Sequence, residues 1–229
     1  MLSRIPIFIV ARGNNELKYQ KNHEALKYSY VFISNMGLLE QTYIISDNKQ
    51  MLEYAKRLGF KHTFYQECKN IKDLRYLEYN AICNFRITNN YEPDWFIILS
   101  IDGLFVNSKL ISECIKHINY NYDVITSYTE ISDRSKFLLD DNFKLESGVK
   151  RITNDKQRRK MADSTIYAIK SSFAKECMQS EDPAVHFWEG NFIFFKNPSL
   201  FTDIYGYEDI TKFSYIGDII EKVKQININ

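Results

Sequence analysis

Residues 11–22, with the sequence ARGNNELKYQKN, contain the residue types that bind phosphate groups. They follow the apolar run PIFIV at 6–10, which predicts a buried first strand. Arg12 and Lys21 can neutralise phosphate charge, and a polar loop containing Gly13 can add backbone N–H donors. The segment therefore predicts a phosphate-binding loop after the first strand. The alternative is a solvated loop in which Arg12 is an exposed cation.

Two aspartates occupy equivalent positions after other predicted strands. Asp47 follows the strand predicted at 42–45, and Asp102 follows the all-apolar strand predicted at 95–99. Because ligands bind at the carboxyl ends of parallel strands, Arg12, Asp47 and Asp102 are expected to lie near one another. Each aspartate also has a structural interpretation. Asp47 is favoured as the cap of a helix beginning at residue 48, and Asp102 could cap a turn before a helix near Ser108.

The elements that must position these residues alternate along the first 127 residues. Apolar periodicity predicts helices, with Gly37 and Gly59 ending the first two. The predicted strands are 7–10, 42–45, 61–65, 95–99 and 123–128, and the predicted helices are 23–36, 48–58, 73–86 and a stripe over 110–118. Strands separated by helices imply parallel pairing, and hence a three-layer α/β/α sandwich with a mostly parallel sheet.

The second half of the sequence has a different pattern. A polar stretch at 130–159 precedes two strand-like runs, 165–169 and 192–195, and an amphipathic helix is predicted at 217–224. We expect one domain over 1–229, in which 130–200 form a lid or a small antiparallel extension of the sheet.

Composition narrows the classes of function. A net charge of +1 argues against non-specific nucleic-acid binding as the main role. The spacing of Cys68, Cys83, Cys114 and Cys177 suggests neither a zinc site nor a disulfide framework. No signal peptide and no stretch long enough for a membrane span are recognised, so a cytoplasmic protein is expected.

Motifs in the chain resemble those of the cytidylyltransferases that activate acidic sugars, the CMP-sialic acid synthetase and KDO cytidylyltransferase group. The family motif A-R-G-G-S-K-G-x-x-x-K-N matches without a gap at Ala11, Arg12, Gly13, Lys21 and Asn22. Three further stretches are similar to family motifs and occur in the same order: YIISD at 43–47 with AKRLG at 55–59, LSIDGLFV at 99–106, and DSTIYA at 163–168.

This resemblance implies a nucleotide-diphospho-sugar transferase-like fold, CTP as substrate and Mg²⁺ as cofactor. Arg12 and Lys21 would be catalytic, because they would hold the phosphates, whereas Asn22 and Asn15 could contact the base or the ribose. The metal would be held by Asp102 and by Asp218. The residues implied for nucleotide binding are Ala11, Arg12, Gly13, Asn15, Lys21, Asn22 and Ser100.

The sequence departs from the family pattern at three places. Glu16 replaces the lysine of G-G-S-K-G, and a carboxylate facing a triphosphate would repel it. Ser214 replaces an aspartate of the closing acidic motif, although Asp218 is retained. The family's R-P-x-x-L-A-x-D segment is not recognisable around 67–75, so the acceptor is not defined by the sequence.

The leading hypothesis is a cytidylyltransferase that converts CTP and an acidic sugar or similar acceptor to a CMP-linked product and pyrophosphate. The resemblance also implies surface-polysaccharide biosynthesis and a homodimer. One alternative is a glycosyltransferase of GT-A-like architecture that uses a nucleotide sugar. Another is a non-catalytic nucleotide-binding relative, which Glu16 and Ser214 favour. His186 and Trp188 could contact a substrate or could pack at the rim of the domain.

Overall fold

A computed structural model describes residues 5–13, 15–67, 74–89, 91–101, 108–119, 121–131 and 159–198, together with residues 221 and 225. The strands are β1 (Ile7–Val10), β2 (Thr42–Ser46), β3 (His62–Tyr65), β4 (Trp95–Leu99), β5 (Val124–Ile131), β6 (Arg159–Lys170) and β7 (Phe192–Lys196). The helices are α1 (Glu16–Asn35), α2 (Lys49–Leu58), α3 (Leu74–Asn89), α4 (Ser108–Lys116), α5 (Ser171–Gln179) and α6 (Pro183–Phe187).

The described strands form a 7-stranded sheet in the order β3-β2-β1-β4-β6-β5-β7. β1 pairs in parallel with β2 and β4, β2 with β3, and β5 with β7, whereas β6 is antiparallel to both of its neighbours. The predicted mostly parallel sheet is confirmed. The alternation of strands and helices did not predict that β6 separates β5 from β4, because β6 comes from a later part of the chain.

Alternate residues of the central strands face two separate cores. Ile7 and Ile9 of β1 pack with apolar residues of α1, α2 and α4, whereas Phe8 and Val10 pack with those of α3, α5 and α6. Every residue of β1, β2 and β4 is buried. This is the pattern expected of parallel strands that are covered by helices on both faces, and it confirms the three-layer sandwich.

The antiparallel extension is built from the long ends of β5 and β6. β4 pairs with β6 only over Ile166–Lys170, with Leu99 opposite Ile166. β5 and β6 continue their pairing from Tyr128 opposite Ala162 to Ile131 opposite Arg159. Because β6 runs antiparallel to β4, these extra residues project past the carboxyl end of β4, the edge of the sheet where ligands are expected.

The first helix begins earlier than the sequence pattern predicts. It starts at Glu16 instead of residue 23, because the Asn15 side chain accepts a hydrogen bond from the Lys18 N–H and caps the helix. A hydrogen bond from Gln20 Nε2 to Glu16 Oε1 supports the first turn at 2.8 Å. Most of the predicted loop is therefore helical.

Other predicted elements agree with the structure or lie outside it. The strand predicted at 95–99 coincides with β4, and the helix predicted at 48–58 begins one residue later. The helix predicted at 217–224 lies outside the described residues, apart from Glu221, which is helical. No helix in the described part of the chain is long and apolar enough to cross a membrane.

Substitution of Gly59 tests the end of α2. Gly59 has a φ of 112°, and an added Cβ would lie 2.8 Å from the Tyr30 hydroxyl. Gly37, which follows α1 with a φ of 69°, has open space around the same position. Gly37→Ala should cost about 1 kcal/mol of unfolding free energy through backbone strain alone. Gly59→Ala should cost about 1 kcal/mol more, because a φ of 112° lies further from the left-handed region that Ala can adopt and because Tyr30 must also move. Urea unfolding of the two variants measures the difference, and equal losses would contradict the greater constraint at Gly59.

Candidate functional site

A pocket of about 170 Å³ lies where β1 and β4 end and α1 begins. We call it the first pocket. Its polar lining comes from α1, from α3 and from the ends of the two strands, and apolar residues of those strand ends form its floor. It is lined by Val10, Arg12, Lys18, Lys21, Asn22, Glu78, Leu99, Ser100 and Ile101.

Arg12 is held in place by a carboxylate from the next strand. Its side chain is 4% exposed, and its Nε lies 3.5 Å from Asp47 Oδ2. The other oxygen of Asp47 accepts a hydrogen bond from the Gly13 N–H at 2.9 Å. Asp47 does not cap α2, which corrects the favoured interpretation. Asn48 is the cap, and its Oδ1 accepts hydrogen bonds from Gln50 N and Met51 N.

Residues 11–13 are fixed by hydrogen bonds from three elements. The Ala11 N–H donates to the Ile45 carbonyl of β2 at 2.8 Å, and Nδ2 of Asn48, the cap of α2, donates to the Gly13 carbonyl at 2.9 Å. From α1, Asn22 Nδ2 donates to the Arg12 carbonyl at 2.7 Å. An added Cβ on Gly13 would lie 2.7 Å from the Asn48 Cβ, so this approach requires glycine. The loop therefore has little freedom to change its shape.

The first two turns of α1 present two lysines to the pocket. Lys18, Lys21 and Asn22 are spaced three and four residues apart, which places them on the same face of the helix. The N-terminus of α1 carries the positive end of the helix dipole, and this adds to the lysine charges. Lys18 was missed by the sequence analysis. The signal that could have identified Lys18 is a helix that begins directly after Asn15.

Glu16 does not face the pocket. Its side chain is exposed, bonds to Gln20 and is not part of the lining. The structure therefore does not place this carboxylate where it would repel a triphosphate in the first pocket, contrary to the expectation from the sequence. Lys18 supplies a cation two residues later in the chain.

The predicted site residues fall into three groups. Arg12, Lys21, Asn22 and Ser100 line the first pocket. Ala11 and Gly13 lie in the buried loop beside it, and Asn15 caps α1 with its side chain. Asp102 and Asp218 lie outside the described residues. Within the part of the chain that the structure describes, no group of three His, Cys, Asp or Glu side chains could hold a metal ion.

A buried glutamate lies at the wall of the first pocket and was not predicted. Glu78 of α3 is 5% exposed and accepts a hydrogen bond from the Tyr167 hydroxyl of β6. Burial, together with the adjacent Glu78 carboxylate, raises the pKa of Tyr167 well above its ordinary value, so the hydroxyl stays protonated and remains a donor. No local motif marks Glu78, because its partner is distant in sequence.

Glu78 and Ser100 also line a second pocket, of about 240 Å³, at the same edge of the sheet. Its wall includes Ala162 of the antiparallel extension. Trp188 lines it as well, whereas His186 does not line it, and its Nδ1 lies within hydrogen-bond distance of Glu189 Oε2, at 2.8 Å. The two pockets are therefore neighbours with a common wall.

The electrostatic character of the first pocket suits an anion. Arg12, Lys18 and Lys21 contribute three cationic side chains to the lining, where Glu78 is the one carboxylate. Asp47 balances the charge of Arg12 from behind, so the two lysines supply the excess positive charge. Such cations form strong, charge-assisted hydrogen bonds with phosphate oxygens. The arrangement can bind a phosphorylated ligand along the carboxyl edge of the sheet.

No protein-family profile matches the sequence, and no curated protein matches it. Solved structures do match the fold. A CMP:2-keto-3-deoxy-manno-octonic acid synthetase complexed with CTP matches with a TM-score of 0.61 and 12% identity, over 96% of this chain and 99% of that one. A 4-diphosphocytidyl-2C-methyl-D-erythritol synthase from Anaerococcus prevotii matches with a TM-score of 0.58 and 13% identity, over 95% of this chain and 100% of that one. A cytidylyltransferase from Leptospira borgpetersenii matches with a TM-score of 0.55 and 15% identity, over 99% of this chain and 97% of that one.

These similarities show that the chain has the nucleotide-diphospho-sugar transferase-like α/β fold, as expected. At such low identities they establish the fold and leave the activity to be argued from the site.

Removal of the Asp47 carboxylate tests the support of Arg12. Because the pair is buried, Asp47→Ala should lower the free energy of unfolding by about 3–5 kcal/mol. Asp47→Asn should cost less, since it keeps an oxygen for the Gly13 N–H. Glu53→Ala is the control, because it breaks an exposed pair with Lys56 and should cost at most about 1 kcal/mol. Urea unfolding measures all three variants. Equal losses for Asp47→Ala and Glu53→Ala would contradict the structural role of the buried pair.

Proposed function

We propose that the protein is a cytidylyltransferase that transfers CMP from CTP to a small acceptor and releases pyrophosphate. The observation that carries this proposal is the convergence of Arg12, Lys18 and Lys21 in one pocket at the carboxyl edge of the sheet. The fold is one that solved cytidylyltransferases share, one of them complexed with CTP.

In the proposed reaction, a hydroxyl oxygen of the acceptor attacks the α-phosphorus of CTP. A new oxygen–phosphorus bond forms, the bond between the α-phosphorus and the oxygen that bridges to the β-phosphate breaks, and pyrophosphate leaves. The hydroxyl proton is released to solvent water. Negative charge grows on the leaving group during this step, and preorganised cations lower its energy. Lys18 and Lys21 supply charges that can adjust to the phosphates, whereas Arg12 is held rigidly by Asp47.

The roles of the remaining residues follow from their positions. Asn22 is committed to the Arg12 carbonyl through its Nδ2, so we assign it to positioning the loop as well as to lining the pocket. Asn15 acts on the site through the start of α1, which it caps. Ser100, at the end of β4, lines both the first pocket and the second pocket.

The proposal includes Mg²⁺ because the family that the sequence resembles uses it. When bound, it would balance charge on the phosphates, and Asp102 and Asp218 are the residues proposed to hold it. The described pocket does not provide a metal site of its own, since its one carboxylate, Glu78, accepts the Tyr167 hydroxyl.

The finer parts of the proposal concern the acceptor and the setting. We propose an acidic sugar or similar molecule as acceptor, a cytoplasmic role in surface-polysaccharide biosynthesis, and a homodimer.

Purified protein should release pyrophosphate from CTP with Mg²⁺ and a nonulosonate, and should do so less with other nucleoside triphosphates. Absence of any nucleotide binding at millimolar concentration would overturn the proposal. Hydrolysis of a UDP- or CMP-sugar without pyrophosphate release would favour a glycosyltransferase instead.

Loss of one lysine should weaken nucleotide binding. Lys18→Ala and Lys21→Ala should each raise the Kd for CTP about tenfold to a hundredfold, because each removes a charge-assisted hydrogen bond. Lys27→Ala is the matched control, because Lys27 lies on the same helix, pairs with Glu24 and does not line the pocket. Calorimetric titration with CTP measures the three variants. If all three bind CTP alike, the lysines of the first pocket do not hold the phosphates.

A further inference from the structure

The strand β7 forms one edge of the described sheet and presents an apolar surface there. Among the described strands only β5 pairs with β7, so the other side of β7 has no strand neighbour in that part of the chain. Its first four residues, FIFF at 192–195, carry no charge, and Phe194 is 46% exposed. An open edge of this kind is a template for a further strand, and proteins usually protect such edges with charged side chains or proline.

The opposite edge of the sheet, β3, has charged side chains at both ends. Lys61 directly precedes β3 and forms an ion pair with Glu40, and Lys49 lies over the ring of Tyr65 at 5.5 Å. Tyr65 is the exposed residue of β3, and its exposed fraction of 45% nearly equals that of Phe194. The two edges therefore differ in charge and not in the exposure of their aromatic residue. Of the two, β7 is the edge that suits an apolar partner.

The hydrogen bonds between β7 and β5 define which backbone groups of β7 face outwards. The Asn191 carbonyl accepts a hydrogen bond from the Val124 N–H at 3.2 Å, and the Asn197 N–H donates to the Tyr128 carbonyl at 2.9 Å. Because the backbone groups of successive residues alternate between the two sides of a strand, the odd-numbered residues face β5. The even-numbered residues, with Phe194 at the centre, therefore direct their N–H and C=O groups away from β5.

This outer edge is complementary to itself. If two copies of β7 run antiparallel with Phe194 opposite Phe194, all five residues of each strand are paired. Two outward-facing residues that lie opposite each other exchange both of their backbone hydrogen bonds. A two-fold axis then passes between the two copies of Phe194, which is the symmetry of most homodimers. Their rings lie on the same face of the joined sheet and form a cross-strand aromatic pair.

Phe194 also ends a row of stacked rings on that face. The ring centroids of Trp188 and Phe192 are 5.4 Å apart, and those of Phe192 and Phe194 are 5.6 Å apart. The ring planes of each pair are inclined by only 14° and 15°. Pairing across the two-fold axis would cover the exposed ring of Phe194 and join the rows of the two copies.

The charges near the ends of β7 favour the antiparallel arrangement. Lys196 ends the strand, Glu189 lies three residues before its start, and both are exposed. Antiparallel pairing brings the carboxyl end of each strand to the amino end of the other, so Lys196 approaches Glu189 of the second copy. A parallel arrangement would instead bring like charges together.

We propose that the protein forms a homodimer in which β7 pairs antiparallel with β7 of a second copy, with Phe194 at the two-fold axis. The two sheets then form one continuous sheet across the interface. This pairing rests on the proposed function for the homodimer alone, to which it assigns a surface. It is independent of the nucleotide, because Glu189, Phe194 and Lys196 line neither pocket.

Sedimentation velocity at a series of protein concentrations measures the dimer. Phe194→Lys should raise the Kd of the dimer about tenfold or more, because it removes the aromatic pair and places two like charges opposite each other. Tyr65→Lys is the matched control, since it changes an equally exposed aromatic residue of the other edge strand and should leave the Kd unchanged. Thermal unfolding checks that both variants are folded. A dimer that Phe194→Lys does not weaken would overturn the proposal.

Single cysteine substitutions test the register without adding charge. Opposite residues that exchange backbone hydrogen bonds have Cα atoms about 5.5 Å apart, which suits a disulfide bond. Phe194→Cys should therefore give a cross-linked dimer with copper phenanthroline as oxidant. Phe192→Cys should not cross-link to itself, because residue 192 lies opposite residue 196, but it should cross-link to Lys196→Cys when the two variants are mixed. The unsubstituted chain, with its four cysteines, gives the background. Equal cross-linking of Phe192→Cys and Phe194→Cys would overturn this pairing.

CTP binding and pyrophosphate release, measured on the same preparations, separate the interface from the proposed function. A protein that is monomeric at every concentration and still releases pyrophosphate removes the interface and leaves the transfer reaction. A dimer that cross-links through Phe194→Cys but binds no nucleotide removes the cytidylyltransferase proposal and leaves the interface.

Discussion

The buried ion pair between Arg12 and Asp47 is the contact on which the geometry of the first pocket depends. In the parallel register of β1 and β2 the last residue pair is Val10 with Ile45, and Arg12 and Asp47 each lie two positions beyond it. Their side chains are 4% and 5% exposed, so each charge needs the other in order to remain buried. The Arg12 carbonyl in turn accepts the Asn22 side chain of α1. The first helix, and with it Lys18 and Lys21, is thereby tied to the end of the central strand.

The two pockets differ in charge and share a wall. The first collects three cationic side chains, whereas the second combines a guanidinium, aromatic rings and a buried carboxylate. Glu78 and Ser100 belong to both. Ligands bound in the two pockets would therefore meet at this wall. Transfer between two bound ligands depends on such close placement, because it removes the entropic cost of bringing them together. The antiparallel extension contributes by closing the second pocket with Ala162.

Much of the fold could be predicted because the signals are local. The run Trp95–Leu99 is apolar throughout, as a strand covered on both faces must be, and β4 has those bounds. The start of α1 was placed too late, because residues 16–22 lack an apolar stripe and Leu17 is 78% exposed. That turn is instead stabilised by the cap at Asn15. The insertion of β6 beside β4 could not be predicted, because strand periodicity does not specify which strand is the neighbour.

The sequence by itself determined the sandwich of strands and helices, and it identified Arg12, Lys21, Asn22 and Ser100 as candidates for one site. These residues follow strand ends or occupy a helix beside them, and parallel pairing brings such positions together. The sequence also predicted that Asp47 lies near Arg12, which the structure confirms. Only the tertiary structure decided that the two form a buried ion pair, that Lys18 joins the pocket and that Glu16 does not. It also brought α3, with Arg75 and Glu78, together with Tyr167 and Trp188 from distant segments. Contacts across such separations depend on strand order and on the rotation of each helix about its axis, and local sequence patterns carry neither.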